Sequence, residues 1–318
     1  MGKQKVCDLI IIGAGAAGLA SAIYAARREI NTMLVSKDVG GQMAWTNEIE
    51  NYPGFDFITG PELIGKMEAQ AEKYGAQFLT DEVTSIAKIE GGFLVKADKE
   101  RFNTKAVILS FGLTPKNLGV PGEKELRGKG ISYCATCDGP LYKGKTVVIV
   151  GGGNSGFEAA EYLSKIAKRV YLVHINEEFT ASPYLIKRMD RVKNVEYRVS
   201  SSVVEIKGKS IVKSVTLENK KTSKTETLKT DGVFIEIGYE AKTQWLKGFL
   251  KLNKRGEIIT NEKCQTSRAG VFAAGDCTDT PYKQIVISGG EGAKAALQAY
   301  DYISKSTSLV VVPDWGKK

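Results

Sequence analysis

Val6-Cys7-Asp8-Leu9-Ile10-Ile11-Ile12 runs directly into Gly13-Ala14-Gly15-Ala16-Ala17-Gly18, and the order of these two pieces decides the fold. A short, mostly apolar run suits a strand buried in a parallel sheet. Beyond the glycines, Leu19 to Arg28 reads as an Ala-rich helix and Thr32 to Val35 as a second strand. Strand, glycine turn, helix, strand is the setting in which G-x-G-x-x-G signals a dinucleotide site. Gly13 permits the tight turn, Gly15 lets the backbone approach a pyrophosphate, and Gly18 lets the helix pack closely on the sheet. The helix N-terminus adds free N–H groups and the positive end of its dipole.

The same construction returns further along. Thr146 to Val150 reads as a strand, Gly151-Gly152-Gly153-Asn154-Ser155-Gly156 as the turn, Phe157 to Ile166 as the helix and Arg169 to His174 as the next strand. Two such units predict an α/β chain with two doubly wound nucleotide-binding domains, and 318 residues suffice for two cores. Pro and Gly at Gly112-Leu113-Thr114-Pro115 and Val120-Pro121-Gly122 mark an exit from the first domain, and Ile237-Gly238-Tyr239-Glu240 a return. Strands and hairpins are expected between Val192 and Leu228. After the return, Gly270-Val271-Phe272-Ala273-Ala274-Gly275-Asp276 reads as a buried strand ending in a carboxylate, and Ser288 to Ser304 as a helix. A carboxylate there can hydrogen-bond a chain of sugar-like hydroxyls, and a nearby helix N-terminus can stabilise negative charge on a reduced ring.

Between the two glycine turns lies Cys134-Ala135-Thr136-Cys137-Asp138. A CxxC pair serves zinc sites, haem attachment and redox disulfides alike. The residue after it is Asp138 rather than the His of a haem site. Zinc needs about four ligands, and the chain offers one histidine, His174, and only Cys7, Cys264 and Cys277 besides, none at ligand spacing. Redox use of the pair, with no metal, is the favoured reading.

Hydrophobic residues make up 42% and charged residues 25%, as in ordinary globular proteins. No apolar run approaches the ~20 residues of a membrane span. The start lacks a signal-cleavage pattern, and one close cysteine pair among five is no secreted disulfide framework, so a cytoplasmic location is expected. The net charge is +9, from 45 Lys+Arg against 36 Asp+Glu. Such an excess steers acidic partners, yet no RNA-binding motif, zinc finger or basic helical arm accompanies it.

The ordered set Gly13–Gly18, Gly40-Gly41-Gln42, Glu50-Asn51-Tyr52-Pro53-Gly54, Cys134-Ala135-Thr136-Cys137-Asp138-Gly139 and Val271-Phe272-Ala273-Ala274-Gly275-Asp276 resembles the low-molecular-weight thioredoxin reductase family over essentially the whole chain. The resemblance implies a homodimer with an FAD domain built from residues 1–116 and 244–318. A NAD(P)-type domain at 117–243 would be inserted between them and carry the CxxC. It implies FAD on Gly13, Ala14, Gly15, Ala16, Ala17 and Gly18, with Asp276 on the ribityl chain. Gly41, Gln42, Asn51, Gly112, Lys283, Gln284 and Ile285 would lie nearby. At the strand end before Gly112 the family reads Ala-Thr-Gly and this chain Ser110-Phe111-Gly112. Cys137 would face the flavin, Cys134 would attack the thioredoxin disulfide, and Asp138 would move the proton.

Relatives that use NADPH carry His-Arg-Arg-x-x-x-Arg after the second strand of the inserted domain, where the arginines grip the 2′-phosphate. Here the run is His174-Ile175-Asn176-Glu177-Glu178-Phe179-Thr180, with all three arginines gone and two carboxylates added. Guanidinium forks suit phosphate and carboxylates repel it; Lys187 or Arg188 is the only nearby replacement expected. An NADH site wants an acidic residue at the strand end, where His174 stands. The favoured donor is therefore reduced ferredoxin, as in pyridine-nucleotide-independent members, with NADH or a deazaflavin as alternatives. A redox-sensing flavoprotein without turnover is the alternative of another class. The tail Leu309-Val310-Val311-Val312-Pro313-Asp314-Trp315 suggests an indole covering a flavin face.

Overall fold

A computed structural model describes residues 4–45, 49 and 51–306, without the side chains of Gln4, Trp45, Cys137 and Ser306. The Glu50 part of the motif above and the tail with Trp315 lie outside the described residues. The chain divides into two compact units, Met1–Thr114 with Glu240–Lys318, and Pro115–Tyr239.

In the first unit β1 (Gln4–Ala14) leads into α1 (Ala16–Ala26) and β2 (Thr32–Val39). Then come α2 (Gly60–Lys73), β3 (Gln77–Thr80), β4 (Val83–Ile89), β5 (Gly92–Ala97) and β6 (Arg101–Leu109). The chain leaves through β7 (Thr114–Pro115). Helix α2 starts cleanly because Thr59 and Glu62 form a capping box ahead of Pro61. The strand order is β3-β2-β1-β6-β5-β4, parallel from β3 to β6 and antiparallel beyond.

The second unit holds β8 (Ile131–Ser132), α3 (Ala135–Asp138), β9 (Thr146–Val150), α4 (Asn154–Ser164), β10 (Arg169–Val173) and α5 (Pro183–Met189). It continues with β11 (Val195–Arg198), β12 (Ser201–Gly208), β13 (Val212–Asn219), β14 (Thr225–Lys229) and β15 (Gly232–Ile235). Its parallel sheet runs β11-β10-β9-β15-β8, and β12-β13-β14 form a separate antiparallel sheet.

The chain returns through β16 (Tyr239–Glu240), which pairs with β7. It ends in β17 (Val271–Ala273) and α6 (Ile285–Ser306). Strand β17 lies parallel to β6, so the two ends of the chain share one sheet. Helix α1 buries all its residues but Tyr24, which its alanines allow by letting α6 come close. A Cβ on Gly292 of α6 would stand 2.0 Å from the Ala17 carbonyl oxygen, and the Ser21 hydroxyl lies 2.9 Å from the Gly292 carbonyl. Among the described residues no helix is long and apolar enough to cross a membrane.

Candidate functional site

The turn between β1 and α1 needs glycine for two separate reasons. Gly13 has φ +103°, a conformation that side chains resist. A Cβ on Gly18 would stand 1.8 Å from the Gly13 carbonyl oxygen. Gly15 differs: a Cβ there would meet nothing within 4 Å. It precedes α1 with no side chain capping the helix, so open space lies before unclaimed N–H groups. That is the geometry a pyrophosphate takes.

The other expected residues gather around this turn. Gly41 approaches Gly15, with 3.8 Å between the position of its Cβ and the Gly15 Cα. Gln42 donates to the Leu113 carbonyl at 3.3 Å, next to Gly112. Asn51 donates to the side-chain oxygen of Gln284 at 3.1 Å, joining residues far apart in the chain. Asp276 follows Gly275, whose added Cβ would stand 2.9 Å from the Ala17 Cβ of α1. The Asp276 carboxylate accepts from the Ser288 hydroxyl at 3.1 Å, and burial raises its pKa. Lys283 donates to the carbonyls of Asp276 and Thr278, at 3.1 and 2.6 Å, and pairs with buried Glu257 at 3.4 Å. Ile285 opens α6, whose first turn thus lies beside Asp276. The expected helix at Ser288 begins three residues earlier.

Two supports of this site had no role assigned from the sequence. The buried Ser110 hydroxyl, at the departure from the family's Ala-Thr-Gly, lies 3.0 and 2.9 Å from the carbonyls of Ile12 and Gly13. It pins the turn to β6. Ser110→Ala should lower stability by about 1 kcal/mol, read as a lower urea midpoint in the flavin-free protein. Glu291 of α6 accepts the Gly275 N–H at 2.7 Å, and so holds the bend that presents Asp276.

In the second unit Cys134 is disulfide-bonded, while Cys7, Cys264 and Cys277 are free and buried. Burial pushes the thiols of Cys7 and Cys264 up to about 11 and that of Cys277 up to about 12. They stay protonated and unreactive at neutral pH. The side chain of Cys137 lies outside the described residues; its backbone is in α3. The Cys134 N–H donates to the Ser132 hydroxyl at 3.0 Å and its carbonyl accepts from the Asp138 N–H at 3.2 Å. Asp138 makes no capping hydrogen bond with its side chain, so the carboxylate is not spent on the turn.

The second glycine turn repeats the first. Gly151 has φ +130°, and a Cβ on Gly156 would stand 1.9 Å from the Gly151 carbonyl oxygen. Its surroundings are different. The Gly152 N–H donates to His174 Nδ1 at 3.1 Å, so the other ring nitrogen carries the proton and donates to the Glu178 carbonyl at 3.0 Å. The backbone N–H groups of Thr180 and Ala181 donate to the Gly152 carbonyl at 2.9 and 3.1 Å. Ser182 N–H donates to Asn154 Oδ1 at 2.8 Å. Of the three lost arginine positions, Thr180 is the one over the turn, its hydroxyl 3.5 Å from where a Gly153 Cβ would be. Ile175 is 57% exposed. Glu177 pairs with Lys221 at 2.5 Å. Arg188 pairs with Glu161 of α4. Among the described residues no group of three or more His, Cys, Asp or Glu could hold a metal.

Two doubly wound units, one with an open dinucleotide cradle and one with a bonded cysteine on a CxxC turn, define a flavin-dependent disulfide oxidoreductase. The chain belongs to the pyridine nucleotide-disulphide oxidoreductase family, which it matches over residues 7–297. It is 40% identical to the thioredoxin reductase of Bacillus subtilis over 309 residues, 96% of this chain and 97% of that one. It is also 38% identical to an NADH dehydrogenase of Bacillus subtilis over 302 residues, 94% of this chain but 59% of that longer one. The thioredoxin reductase of Lactococcus lactis, solved in its FR conformation, superposes with a TM-score of 0.81 at 34% identity, covering 94% of this chain and 99% of that one. A ferredoxin-flavin thioredoxin reductase from Clostridium acetobutylicum gives 0.53 at 32% identity, covering 96% and 100%. The cofactor of the thioredoxin reductases is FAD, and the open cradle at Gly15, the uncapped α1 and the Asp276 acceptor fit it.

Proposed function

We propose that this enzyme is a thioredoxin reductase that receives electrons from reduced ferredoxin and passes them through the Cys134–Cys137 pair to thioredoxin. In this reading Gly13, Gly15, Gly18 and the start of α1 hold the FAD pyrophosphate, and Asp276 accepts from the ribityl hydroxyls. Bound FAD supplies a centre that takes up electrons singly and releases them in pairs. Once the pair is reduced, the Cys134 thiolate attacks a sulfur of the thioredoxin disulfide and forms a mixed disulfide. Cys137 then attacks Cys134, which re-forms the internal bond and expels reduced thioredoxin. Asp138, with its carboxylate left uncapped, carries the proton.

The observation that carries the choice of donor is the stretch from His174 to Thr180. An isoleucine, an asparagine and a threonine stand where a phosphate clamp needs arginines. Both His174 nitrogens are committed, and Arg188 is paired with Glu161. Charge supports an acidic protein partner. Residues 115–239 hold 21 Lys and Arg against 14 acidic residues, whereas the rest of the chain holds 24 against 22. The basic excess thus falls mainly in the unit that carries the disulfide, and there it speeds encounter with acidic proteins. The reaction also runs downhill. A plant-type ferredoxin near about −400 mV and thioredoxin near about −270 mV differ by ~130 mV, or roughly 6 kcal/mol per disulfide.

The test is anaerobic stopped-flow bleaching of the yellow holoenzyme by reduced ferredoxin, NADPH or NADH. Ferredoxin should bleach it and support release of thioredoxin thiols. NADPH should be slower by on the order of 10²-fold or more, the loss expected when charge-assisted contacts vanish. The combined variant Ile175→Arg, Asn176→Arg, Thr180→Arg should recover part of the NADPH rate. Rapid bleaching of the unaltered enzyme by micromolar NADPH would sink the donor assignment, and rapid bleaching by NADH would move it to NADH.

A further inference from the structure

Glu236 is a carboxylate that closes an otherwise apolar strand, Gly232-Val233-Phe234-Ile235. Strand β15 pairs in parallel with β8, Val233 against Ile131 and Phe234 against Ser132. Carried two residues further, that register sets Glu236 level with Cys134. The hydrogen bonding agrees, since the Glu236 carboxylate accepts from the backbone N–H of Ala135, the residue after Cys134. The backbone of Glu236 is itself held on both sides. Glu236 N–H donates to the Val150 carbonyl at 2.8 Å. The Glu236 carbonyl lies 2.1 Å from where a Cβ on Gly151 would be.

The surroundings disfavour a charge at this point. Burial, with the Glu158 carboxylate of α4 adding to it, pushes Glu236 up to about 7, against the one Ala135 N–H that favours the ionised form. Tyr239, in the segment that follows β15, has its phenol raised by burial and by Glu236. From the CxxC turn the Ala135 N–H faces it, and from β9 the Val150 carbonyl meets its backbone.

We infer that Glu236 is a positioning residue that sets the protonation of the Cys134 thiol. Two electrons entering the pair break the sulfur–sulfur bond. With one proton they leave a thiol and a thiolate, and with a second proton two thiols. A carboxylate held at the residue after Cys134 repels a thiolate on Cys134, so the two titrate as a coupled pair. Ionised Glu236 keeps the Cys134 proton on, and protonated Glu236 lets it go. The thiolate that attacks a partner disulfide is therefore governed by a group the CxxC motif does not contain. The importance of this for turnover rests on Cys134 being the exchange thiol; the titration itself does not.

The test therefore needs neither donor nor thioredoxin. The holoenzyme is reduced with dithiothreitol, and iodoacetamide modification of Cys134 is followed peptide by peptide from acid to alkaline pH. Glu236→Gln keeps an oxygen for the Ala135 N–H and removes the charge. The Cys134 midpoint should fall by roughly one pH unit, as expected for loss of a neighbouring like charge, and Glu236→Ala should move it the same way. A Gln variant that titrates like the wild type, whatever alanine does, overturns the inference.

A second reading uses the oxidised protein. The folded pKa of Glu236 lies above its unfolded value, so the wild type is favoured at low pH and loses that advantage as pH rises through about 7. The melting temperature of Glu236→Gln relative to wild type should therefore climb between pH 5 and pH 8. A constant difference overturns the titration on which the inference stands.

Discussion

Replacing Cys134 by serine should reduce thioredoxin turnover to background, a loss on the order of 10³-fold or more, because a hydroxyl does not form the mixed disulfide. The same holds for Cys137→Ser, and the two substitutions together should cost little more than either alone, since the cysteines act as one unit. FAD content should be unchanged, because every residue assigned to the cradle lies in the other unit of the chain. Bleaching of the flavin by the donor should also persist, as that step precedes the disulfide. The free cysteines do not rescue turnover: Cys7, Cys264 and Cys277 are buried and their thiols raised to about 11 or 12. Thioredoxin reduction that survives either serine variant would remove the pair from the mechanism.

Gly15→Ala and Gly18→Ala should fail in different ways although both lie in the same turn. At Gly18 the new methyl group would stand 1.8 Å from the Gly13 carbonyl oxygen. Backbone on both sides leaves nothing to yield, so β1 and α1 must separate, and the cost is on the order of several kcal/mol. Little folded protein is expected. At Gly15 the methyl meets nothing within 4 Å and the backbone has an ordinary negative φ of −77°. The flavin-free protein should melt like the wild type. Yet the methyl enters the space before the α1 N-terminus, and FAD affinity should drop by roughly 10²-fold, about 2.7 kcal/mol. Flavin retention on a desalting column, set beside melting of the flavin-free forms, separates the two outcomes. If Gly15→Ala binds FAD as tightly as wild type, the pyrophosphate is not held at this turn.

The glycine turns were legible because their physics is local. Gly18 must be small on account of the Gly13 carbonyl, and Gly156 on account of the Gly151 carbonyl, while Gly13 and Gly151 need glycine for their positive φ. The flanking strands and helices followed from apolar runs and alanine content, with errors of up to four residues at their ends. Helix α1 starts at Ala16 rather than Leu19, because Gly15 already serves as its N-cap. The antiparallel strands β4 and β5 carry no motif and escaped the sequence reading.

Contacts between distant segments were out of reach of the residue pattern itself; only the family resemblance placed Asn51 and Gln284 at one site. Asn51 meets Gln284 because strand order folds the two ends of the chain into one sheet. Ser110 reads as a departure from a familiar motif, yet its hydroxyl holds the turn that the motif serves. Glu236 lies about a hundred residues from Cys134 in the chain and becomes its neighbour through the parallel pairing of β15 with β8.

By itself the sequence determined two dinucleotide turns, a redox-capable CxxC and the loss of three arginines, since each depends on residues close together in the chain. The tertiary structure alone decided which side chains surround those motifs. Parallel strands pair across long crossovers, and burial in the pocket they form sets the charge of a carboxyl such as Glu236.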